Sequence, residues 1–267
     1  MPRQEITSRQ NVRVKDAAKL RDARSRAKQG RFIIDGVREI GRALDAGIEF
    51  LEVFICPPLC GSPLAKELGQ RLDDCGAVVA DVTAEVFEKL AFGQRSDGIV
   101  AVAATPKRSI DQLELPTNPL IAVLENLEKP GNVGAILRSA DGAGVDAVIV
   151  VNPETDLFNP NTIRASVGTV FSKQVCVATV AETLAKLREW NVPIVATRPD
   201  AKQLYTEVDF RNGAAIVLGS EALGLSAEWN QADITGVRLP MRGIADSLNV
   251  STTAAVLFYD AQRQRMI

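Results

Sequence analysis

The chain of 267 residues contains no histidine. This absence excludes a Ser-His-Asp hydrolase and a histidine general base, and it removes the ligand on which most zinc sites depend. Any chemistry must therefore come from carboxylates, arginine, serine, asparagine or a cosubstrate.

Long apolar runs and cysteines are scarce as well. No run approaches the roughly 20 apolar residues that a membrane helix needs, and no apolar segment follows the N-terminus as in a secretory signal. The four cysteines do not form the two spaced pairs of a zinc site; they are Cys56, Cys60, Cys75 and Cys176. With 46% hydrophobic and 24% charged residues, the composition predicts a soluble, cytoplasmic, globular protein with reduced thiols and no bound metal.

The net charge of −2 hides a strong asymmetry. Residues 1–31 contain ten lysines and arginines against three carboxylates, a net charge of +7, which leaves −9 for the rest of the chain. A basic arm on an otherwise acidic protein is typical of a polyanionic partner, most often nucleic acid. A solvated amphipathic helix is the alternative interpretation of this segment.

The order of the predicted elements indicates two domains that follow the basic arm in the sequence. Short helices and strands alternate up to about residue 105 and predict a small α/β sandwich over residues 32–105. Three prolines then mark residues 106–119 as a linker. Apolar runs suited to buried parallel strands recur after it, with helices between them, and predict a larger α/β domain over residues 120–267.

Three polar and glycine-rich clusters lie in the larger domain. The first runs from Asn126 to Arg138, between a strand and a helix, where ligands of open α/β sheets bind. Its glycines, Gly131 and Gly134, do not have the G-x-G-x-x-G spacing of a dinucleotide-binding turn, so a nucleotide-dependent oxidoreductase is disfavoured. Asn132 could cap the helix, and Arg138 is suited to a phosphate contact.

The second cluster follows a buried strand. Gly219 ends this strand and permits close approach of a ligand to the backbone. Glu221 comes next, at the carboxyl edge of the sheet, as a functional group or as a helix-capping carboxylate.

The third cluster precedes the last helix. Ser247 and Asn249 alternate around Leu248, so that hydroxyl and amide can face one side while the leucine packs on the other. An asparagine amide offers both a donor and an acceptor, which suits it to hold a ribose hydroxyl or a loop. Ser251 is a candidate N-cap of the final helix.

In this order, the three clusters resemble the three motifs of the SpoU (TrmH) family of S-adenosylmethionine-dependent RNA 2′-O-ribose methyltransferases. The resemblance covers about residues 120–265. The matching segments are Asn126, Pro130-Gly131-Asn132-Val133-Gly134 and Arg138 in the first motif, Gly219-Ser220-Glu221 and Gly224-Leu225 in the second, and Pro240-Met241 and Ser247-Leu248-Asn249-Val250-Ser251 in the third. Phe32 to Cys56 similarly resemble the L30e-like RNA-binding domain that precedes many such catalytic domains.

The resemblance implies an α/β fold. It consists of a C-terminal SPOUT-type domain with a trefoil knot, a mostly parallel sheet and helices on both faces, preceded in the sequence by a small L30e-like sandwich. It implies S-adenosylmethionine as cofactor, RNA as substrate, and a homodimer formed through the catalytic domain, with each site completed by the partner's arginine. The implied cofactor-binding residues are Thr197, Gly219, Leu239, Met241 and Leu248. The implied catalytic residues are Asn132, Arg138, Glu221, Ser247 and Asn249.

The implied reaction is in-line attack of a ribose 2′-oxygen on a sulfonium methyl group, which requires help with proton loss or stabilisation of the oxyanion. We expect Arg138 to anchor phosphate or oxyanion, because a guanidinium with a pKa above about 12 is a poor base. The proton acceptor is left open. The N-terminal domain and basic arm favour 23S-type ribosomal RNA; a transfer RNA substrate and a catalytically silent RNA-binding protein on the same fold are the alternatives.

Overall fold

The structure, a computed structural model, describes residues 3–92 and 97–266. Residues 1–2, 93–96 and 267 belong to the predicted arm, small domain and catalytic domain, respectively, and lie outside the described residues. The chain divides into two compact units. The first comprises the residues up to Lys107 together with Asp156–Phe171, and the second comprises Arg108–Thr155 and the residues from Ser172 onward.

The first unit is built around a five-stranded sheet in the order β1-β4-β3-β5-β2. Its strands are β1 (Gln4–Ile6), β2 (Arg31–Asp35), β3 (Phe50–Ile55), β4 (Val78–Val82) and β5 (Ile99–Ala104). Its helices are α1 (Val12–Lys19), α2 (Ala23–Gln29), α3 (Val37–Asp45), α4 (Pro63–Asp73) and α5 (Ala84–Leu90). Side-chain oxygens of Asn11, Asp22, Ser62 and Thr83 cap four of these helices, which explains where they begin.

The predicted basic arm is an integral part of this unit. Strand β1 pairs with β4, and Val14, Ala17 and Leu20 are fully buried in the core. Several of the basic side chains are also bound within the unit, since Arg13 pairs with Glu52 at 2.9 Å and Arg26 is only 4% exposed. The structure therefore differs from the prediction of a separate arm, because several basic side chains of residues 1–31 are bound in contacts that stabilise the fold of this unit.

The segment Asp156–Phe171 also belongs to the first unit, although the sequence placed it in the catalytic domain. It contains helix α7 (Pro160–Ala165). The rings of Phe158 and Phe171 stack on Phe32 of β2, with centroid distances of 4.6 and 6.0 Å. The Asp156 carboxylate binds the guanidinium of Arg26. Phe32 and Phe171 are fully buried, and the ion pair covers the Arg26 guanidinium, although the Asp156 side chain is 40% exposed. These contacts explain why the segment folds with the N-terminal residues.

The second unit contains a seven-stranded sheet in the order β10-β12-β9-β11-β6-β7-β8, and every neighbouring pair is parallel. Its strands are β6 (Leu120–Glu125), β7 (Ala147–Val151), β8 (Val175–Ala178), β9 (Ile194–Thr197), β10 (Gln203–Leu204), β11 (Ala214–Leu218) and β12 (Ile234–Arg238). The apolar strands β6, β7 and β11 are buried along their whole length, as central strands of a parallel sheet must be.

Helices cover both faces of this sheet. Helix α8 (Val180–Glu189) packs on the face that contains Ile121 and Val123. Helix α6 (Pro130–Ala143) lies along α9 (Val250–Arg265), which contacts β11. The predicted α/β fold with a parallel sheet is confirmed, and the trefoil knot stays a prediction. Among the described residues, no helix has the length and apolar character needed to cross a bilayer.

Candidate active site

The three polar clusters lie at the carboxyl edge of the parallel sheet. They follow β6, β11 and β12, and Thr197 ends the intervening strand β9. Because β9 pairs with both β11 and β12, and β11 also pairs with β6, the loops after these strands are neighbours in space. This is the edge at which open α/β sheets bind ligands.

A pocket of about 370 Å³ opens at this edge. All five residues that the sequence predicted for cofactor binding line it, and Ser247 lines it as well. The pocket walls combine main-chain groups after β11 with apolar side chains that include Leu239 and Leu248. Charged and hydroxyl side chains, among them Arg198, Arg238 and Asp246, stand between the apolar ones. A concave cavity of this size with both apolar and polar walls is typical of a small-molecule site.

Gly219 shapes one wall of this pocket because the chain doubles back against it. The loop after β11 is closed by a hydrogen bond from the Gly224 amide to the Ser220 carbonyl oxygen, at 3.0 Å. A Cβ atom on Gly219 would lie 2.4 Å from the carbonyl carbon and oxygen of Gly224. Position 219 therefore excludes every side chain for lack of space, whereas Gly224 has a φ of +68° that favours glycine.

Three of the five predicted catalytic residues meet beside the pocket. Glu221 Oε1 accepts hydrogen bonds from the side-chain amides of Asn132, at 3.1 Å, and of Asn249. The Asn249 amide also faces Asn132 Oδ1 at 3.4 Å. The other carboxylate oxygen of Glu221 accepts a hydrogen bond from the ammonium group of Lys129, a residue to which the sequence assigned no role.

The asparagines have different local roles from those the sequence suggested. Asn249 is the N-cap of α9, since its Oδ1 accepts the Ser251 amide at 2.9 Å; Ser251, the candidate N-cap, therefore lies within the first turn. Asn132 lies inside α6 and does not cap it. Its side chain is thus available to Glu221.

The charge state of Glu221 follows from these contacts. The hydrogen bond from Lys129 is the largest cause of a lowered Glu221 pKa, and the amide of Asn132 and the backbone of Val250 act in the same direction. The carboxylate correspondingly raises the pKa of Lys129. At neutral pH, Glu221 is therefore an acceptor of hydrogen bonds and a weak base.

The two remaining predicted catalytic residues lie apart from this cluster. Ser247 is exposed on the pocket wall. Arg138 is exposed on α6 and is not among the residues that line the pocket. It stands six residues after Asn132, which places it about 9 Å further along the helix and about 120° around its axis. The described chain by itself does not bring Arg138 to Glu221.

A buried carboxylate supports the loop that carries Glu221. Glu125, at the end of β6, is fully buried and accepts hydrogen bonds from the amide and the hydroxyl of Ser226, at 2.8 and 2.6 Å. No functional role was expected for Glu125 from the sequence. The available signal was a charged residue at the end of an otherwise apolar buried strand.

We expect Glu125→Gln to lower the free energy of unfolding by about 1–3 kcal/mol, because an amide cannot accept both donors with its two terminal atoms. Urea denaturation followed by circular dichroism measures this loss. Glu128→Gln, at an exposed position three residues later, is the control and should leave the midpoint unchanged. Equal midpoints for the two variants would contradict the supporting role of Glu125.

Within residues 3–92 and 97–266, no group of three or more histidine, cysteine, aspartate or glutamate side chains could hold a metal ion. The four cysteines are free thiols. The polar cluster consists of carboxylate, amide and ammonium groups, and guanidinium and hydroxyl groups also line the pocket.

Comparison with known proteins gives two family matches and close structural relatives. The SpoU rRNA Methylase family model matches residues 119–259, and the model of an MRM3-like substrate binding domain matches residues 11–101. A 23S rRNA (guanosine-2′-O-)-methyltransferase of Bordetella pertussis is 34% identical over 73% of this chain and 82% of its own length.

Two solved structures cover nearly the whole chain. The structure of an RNA 2′-O ribose methyltransferase is 42% identical, with a TM-score of 0.83, and covers 99% of this chain and 100% of its own. The SpoU methyltransferase AviRb from Streptomyces viridochromogenes in complex with the cofactor AdoMet is 26% identical, with a TM-score of 0.85, over 96% of this chain and 99% of its own.

Proposed function

Because the chain belongs to the SpoU rRNA methylase family, we propose that it transfers the methyl group of S-adenosylmethionine to the 2′-oxygen of a ribose in structured RNA. The observation that carries this proposal is the cluster of Asn132, Glu221 and Asn249 beside a small-molecule pocket. These groups come from three segments that are far apart in the sequence, and their side chains converge on one carboxylate oxygen.

The pocket fits S-adenosylmethionine in size and chemistry. Bound there, the cofactor supplies an electrophilic sulfonium methyl group. Gly219 exposes main-chain groups, and Leu239 and Leu248 offer apolar surface for an adenine ring. Thr197 and Met241 complete the proposed cofactor-binding residues, although the Thr197 hydroxyl already donates to the Val217 carbonyl oxygen at 2.9 Å. The Thr197 side chain therefore shapes the wall and has its donor occupied.

In the proposed reaction, a bond would form between the ribose 2′-oxygen and the methyl carbon while the carbon–sulfur bond breaks, so that S-adenosylhomocysteine leaves and the hydroxyl proton passes to solvent. Glu221 takes the amide donors of both asparagines, so that Asn132 Oδ1 retains capacity to accept a hydrogen bond from a ribose hydroxyl. Ser247, on the pocket wall, joins Asn132, Glu221 and Asn249 among the proposed catalytic residues. We assign Arg138 the role of phosphate and oxyanion anchor, since a guanidinium with a pKa above about 12 is a poor proton acceptor.

We propose that the protein works as a homodimer in which Arg138 serves the site of the partner subunit. The exposed position of Arg138 supports this, because the helix geometry separates it from Asn132 of its own chain. Gly142, one turn after Arg138, lies against the hydroxyl of Tyr259, an aromatic residue that is 50% exposed on α9. Exposed arginine and tyrosine side chains on one surface are typical of protein interfaces.

Ribosomal RNA is the favoured substrate class. The matched family is named for rRNA methylation, and the Bordetella pertussis relative acts on 23S rRNA. The first unit, with its match to a substrate-binding domain, adds a surface for a structured RNA beyond the catalytic unit. Transfer RNA is the alternative substrate, and a silent RNA-binding role is the alternative without chemistry.

The test is transfer of labelled methyl from S-adenosylmethionine to total RNA of a strain that lacks the gene. The RNA is separated into ribosomal and transfer fractions and digested to nucleosides. Label in 2′-O-methylated nucleosides of the ribosomal fraction is the expected result. Label in the transfer fraction would change the substrate class, and no label in either fraction would support the silent RNA-binding protein.

A second expectation concerns the basic residues of the first unit. Deletion of residues 1–31 would remove core residues, so we choose point variants. Arg24 and Lys28 are exposed and four residues apart on α2, hence on one face. If both contact phosphates, their joint change to glutamine should reduce the slope of log affinity against log salt by about 1.5 to 2.

Filter binding or fluorescence anisotropy with ribosomal RNA fragments at several salt concentrations measures this slope. Lys66→Gln, at an exposed position on α4, is the control for a loss of positive charge in the same unit. An unchanged slope in the double variant would mean that Arg24 and Lys28 are solvated charges on α2 that do not contact phosphate.

A further inference from the structure

Lys129 shares Glu221 with the two catalytic asparagines. The two carboxylate oxygens of Glu221 have different partners: Oε1 accepts the amides of Asn132 and Asn249, and Oε2 accepts the ammonium group of Lys129. A carboxylate whose two oxygens are held by donors on opposite sides cannot turn about its terminal bond without breaking hydrogen bonds on both. Lys129 therefore fixes the group that both asparagines face.

The local structure leaves Lys129 available for this contact. It stands at the N-cap position of α6 but makes no side-chain capping bond, and Pro130 follows it at the first helical position. Its side chain is 68% exposed, against 30% for that of Glu221. Core packing therefore does not explain the position of the Lys129 ammonium group. Its contact with Glu221 explains that position.

Other charged groups surround the pair. Glu128 lies beside Lys129, where it raises the pKa of that ammonium group and lines the cavity next to Asn132. The remaining charged side chains around the adjoining pocket are Arg198, Arg238 and Asp246. Within the described chain, Lys129 is the cation for which a bond to Glu221 is found.

We propose that Lys129 is a positioning residue for methyl transfer, which holds one oxygen of Glu221 so that the other orients the amides of Asn132 and Asn249. This inference rests on the proposed function. An asparagine amide can turn over and exchange its donor and acceptor. A fixed carboxylate permits only the orientation in which the amide nitrogens face it, and Lys129 preserves both the charge and the direction of that carboxylate.

The contact has a consequence for the pH dependence of the reaction. Glu221 orients the amides in its ionised form, which is present above its pKa. Lys129 lowers this pKa, so the activity persists to lower pH than it would with an ordinary glutamate. Without Lys129 the pKa rises, and the acid limb of the pH–rate profile moves to higher pH.

The experiment compares Lys129→Met with Lys129→Arg in the full chain, and uses the exposed Lys173→Met as a control for the loss of one charge. For Lys129→Met we expect a kcat about 10- to 100-fold lower, because the catalytic groups are then misplaced. The KM for S-adenosylmethionine should change little. The acid limb of this variant should lie at higher pH. Lys129→Arg should restore most of the activity, and Lys173→Met should behave as the unmodified chain.

Two results would overturn the proposal. One is an unchanged kcat and pH profile in Lys129→Met; the other is a rise in KM for RNA with an unchanged acid limb, which would make Lys129 a phosphate contact. The pKa of Glu221 is measured separately by carbon-13 NMR of glutamate-labelled protein, with Glu221→Gln to assign the signal. This readout needs no activity: a higher Glu221 pKa in Lys129→Met supports the contact even if the unmodified chain transfers no methyl group, in which case the proposed function alone fails.

Discussion

Replacement of Gly219 by alanine is expected to weaken S-adenosylmethionine binding strongly. The new Cβ would lie 2.4 Å from the carbonyl carbon and oxygen of Gly224 and 2.6 Å from the Leu225 amide nitrogen. These are backbone atoms of a closed loop, so no side chain can turn away to relieve the contact. The loop must move, and it forms the pocket wall and carries Glu221.

We expect the affinity for S-adenosylmethionine to fall at least about 100-fold, which corresponds to about 2.7 kcal/mol of binding free energy. Isothermal titration calorimetry measures it, and circular dichroism shows that the variant is folded. Overpacking of this kind costs about 1–3 kcal/mol of stability, which a domain of this size can tolerate.

Two other glycines serve as matched controls. Apart from Gly243 itself and its two chain neighbours, no residue that the structure describes has an atom within 4 Å of the Gly243 Cβ position, so Gly243→Ala should bind the cofactor normally. Gly224 also has free space but a φ of +68°, so Gly224→Ala tests backbone conformation without a steric clash and should have an intermediate effect. Normal binding by Gly219→Ala would show that this loop does not form the cofactor pocket.

The sequence predicted the architecture of the second unit well because that architecture depends on local patterns. Runs such as 120–124 and 214–218 are apolar at every position, as the strands of a parallel sheet covered on both faces are. Residues just beyond such strands then converge at one edge. For this reason Thr197, Gly219 and Leu239, which have no similarity in type, line the same pocket.

The first unit was harder to predict because its contacts are long-range. Strand β1 has three residues, too few for a periodic pattern, and it exists because β4 offers it an edge. The charge count of residues 1–31 suggested a free arm, whereas Arg26 is buried by its pairing with Asp156, 130 residues away. No pattern within either segment identifies the other as its partner.

The polar cluster shows the same limit at the scale of single side chains. The motif resemblance selected Asn132, Glu221 and Asn249, and the structure brings them together. Lys129, 92 residues before Glu221, could not be selected, since no pattern around this lysine identifies Glu221 as its partner. Its contact depends on the loop that Gly219 and Glu125 hold in place.

A mixture of Arg138→Ala and Glu221→Gln chains is expected to regain methyl transfer that neither variant has alone. Arg138→Ala removes the anchor for developing charge, and Glu221→Gln removes the carboxylate that orients the amides of Asn132 and Asn249. Each variant by itself should lose at least about 100-fold in kcat. Arg138→Ala should still bind S-adenosylmethionine, because Arg138 is not among the residues that line the pocket.

The recovery follows from the position of Arg138 on the exposed face of α6. If it serves the site of a second copy, a mixed dimer contains one site with Glu221 of one protomer and Arg138 of the partner subunit, both intact. The second site of that dimer carries both defects. When chains associate at random in a two-fold dimer, half of the dimers are mixed, so about a quarter of the wild-type activity should return.

The measurement is methyl transfer after the two variants are unfolded together, mixed in equal amounts and refolded, with light scattering to confirm the mass of a dimer. Refolding each variant alone gives the background. A control mixture of Glu221→Gln with Asn132→Ala should stay inactive, because both residues belong to the same chain's cluster and each mixed dimer then has no intact site. Recovery in the first mixture and not in the second requires Arg138 to act across the interface. If the mixture with Arg138→Ala stays at background, Arg138 acts within its own chain. Helix α6 would then have to move before the reaction.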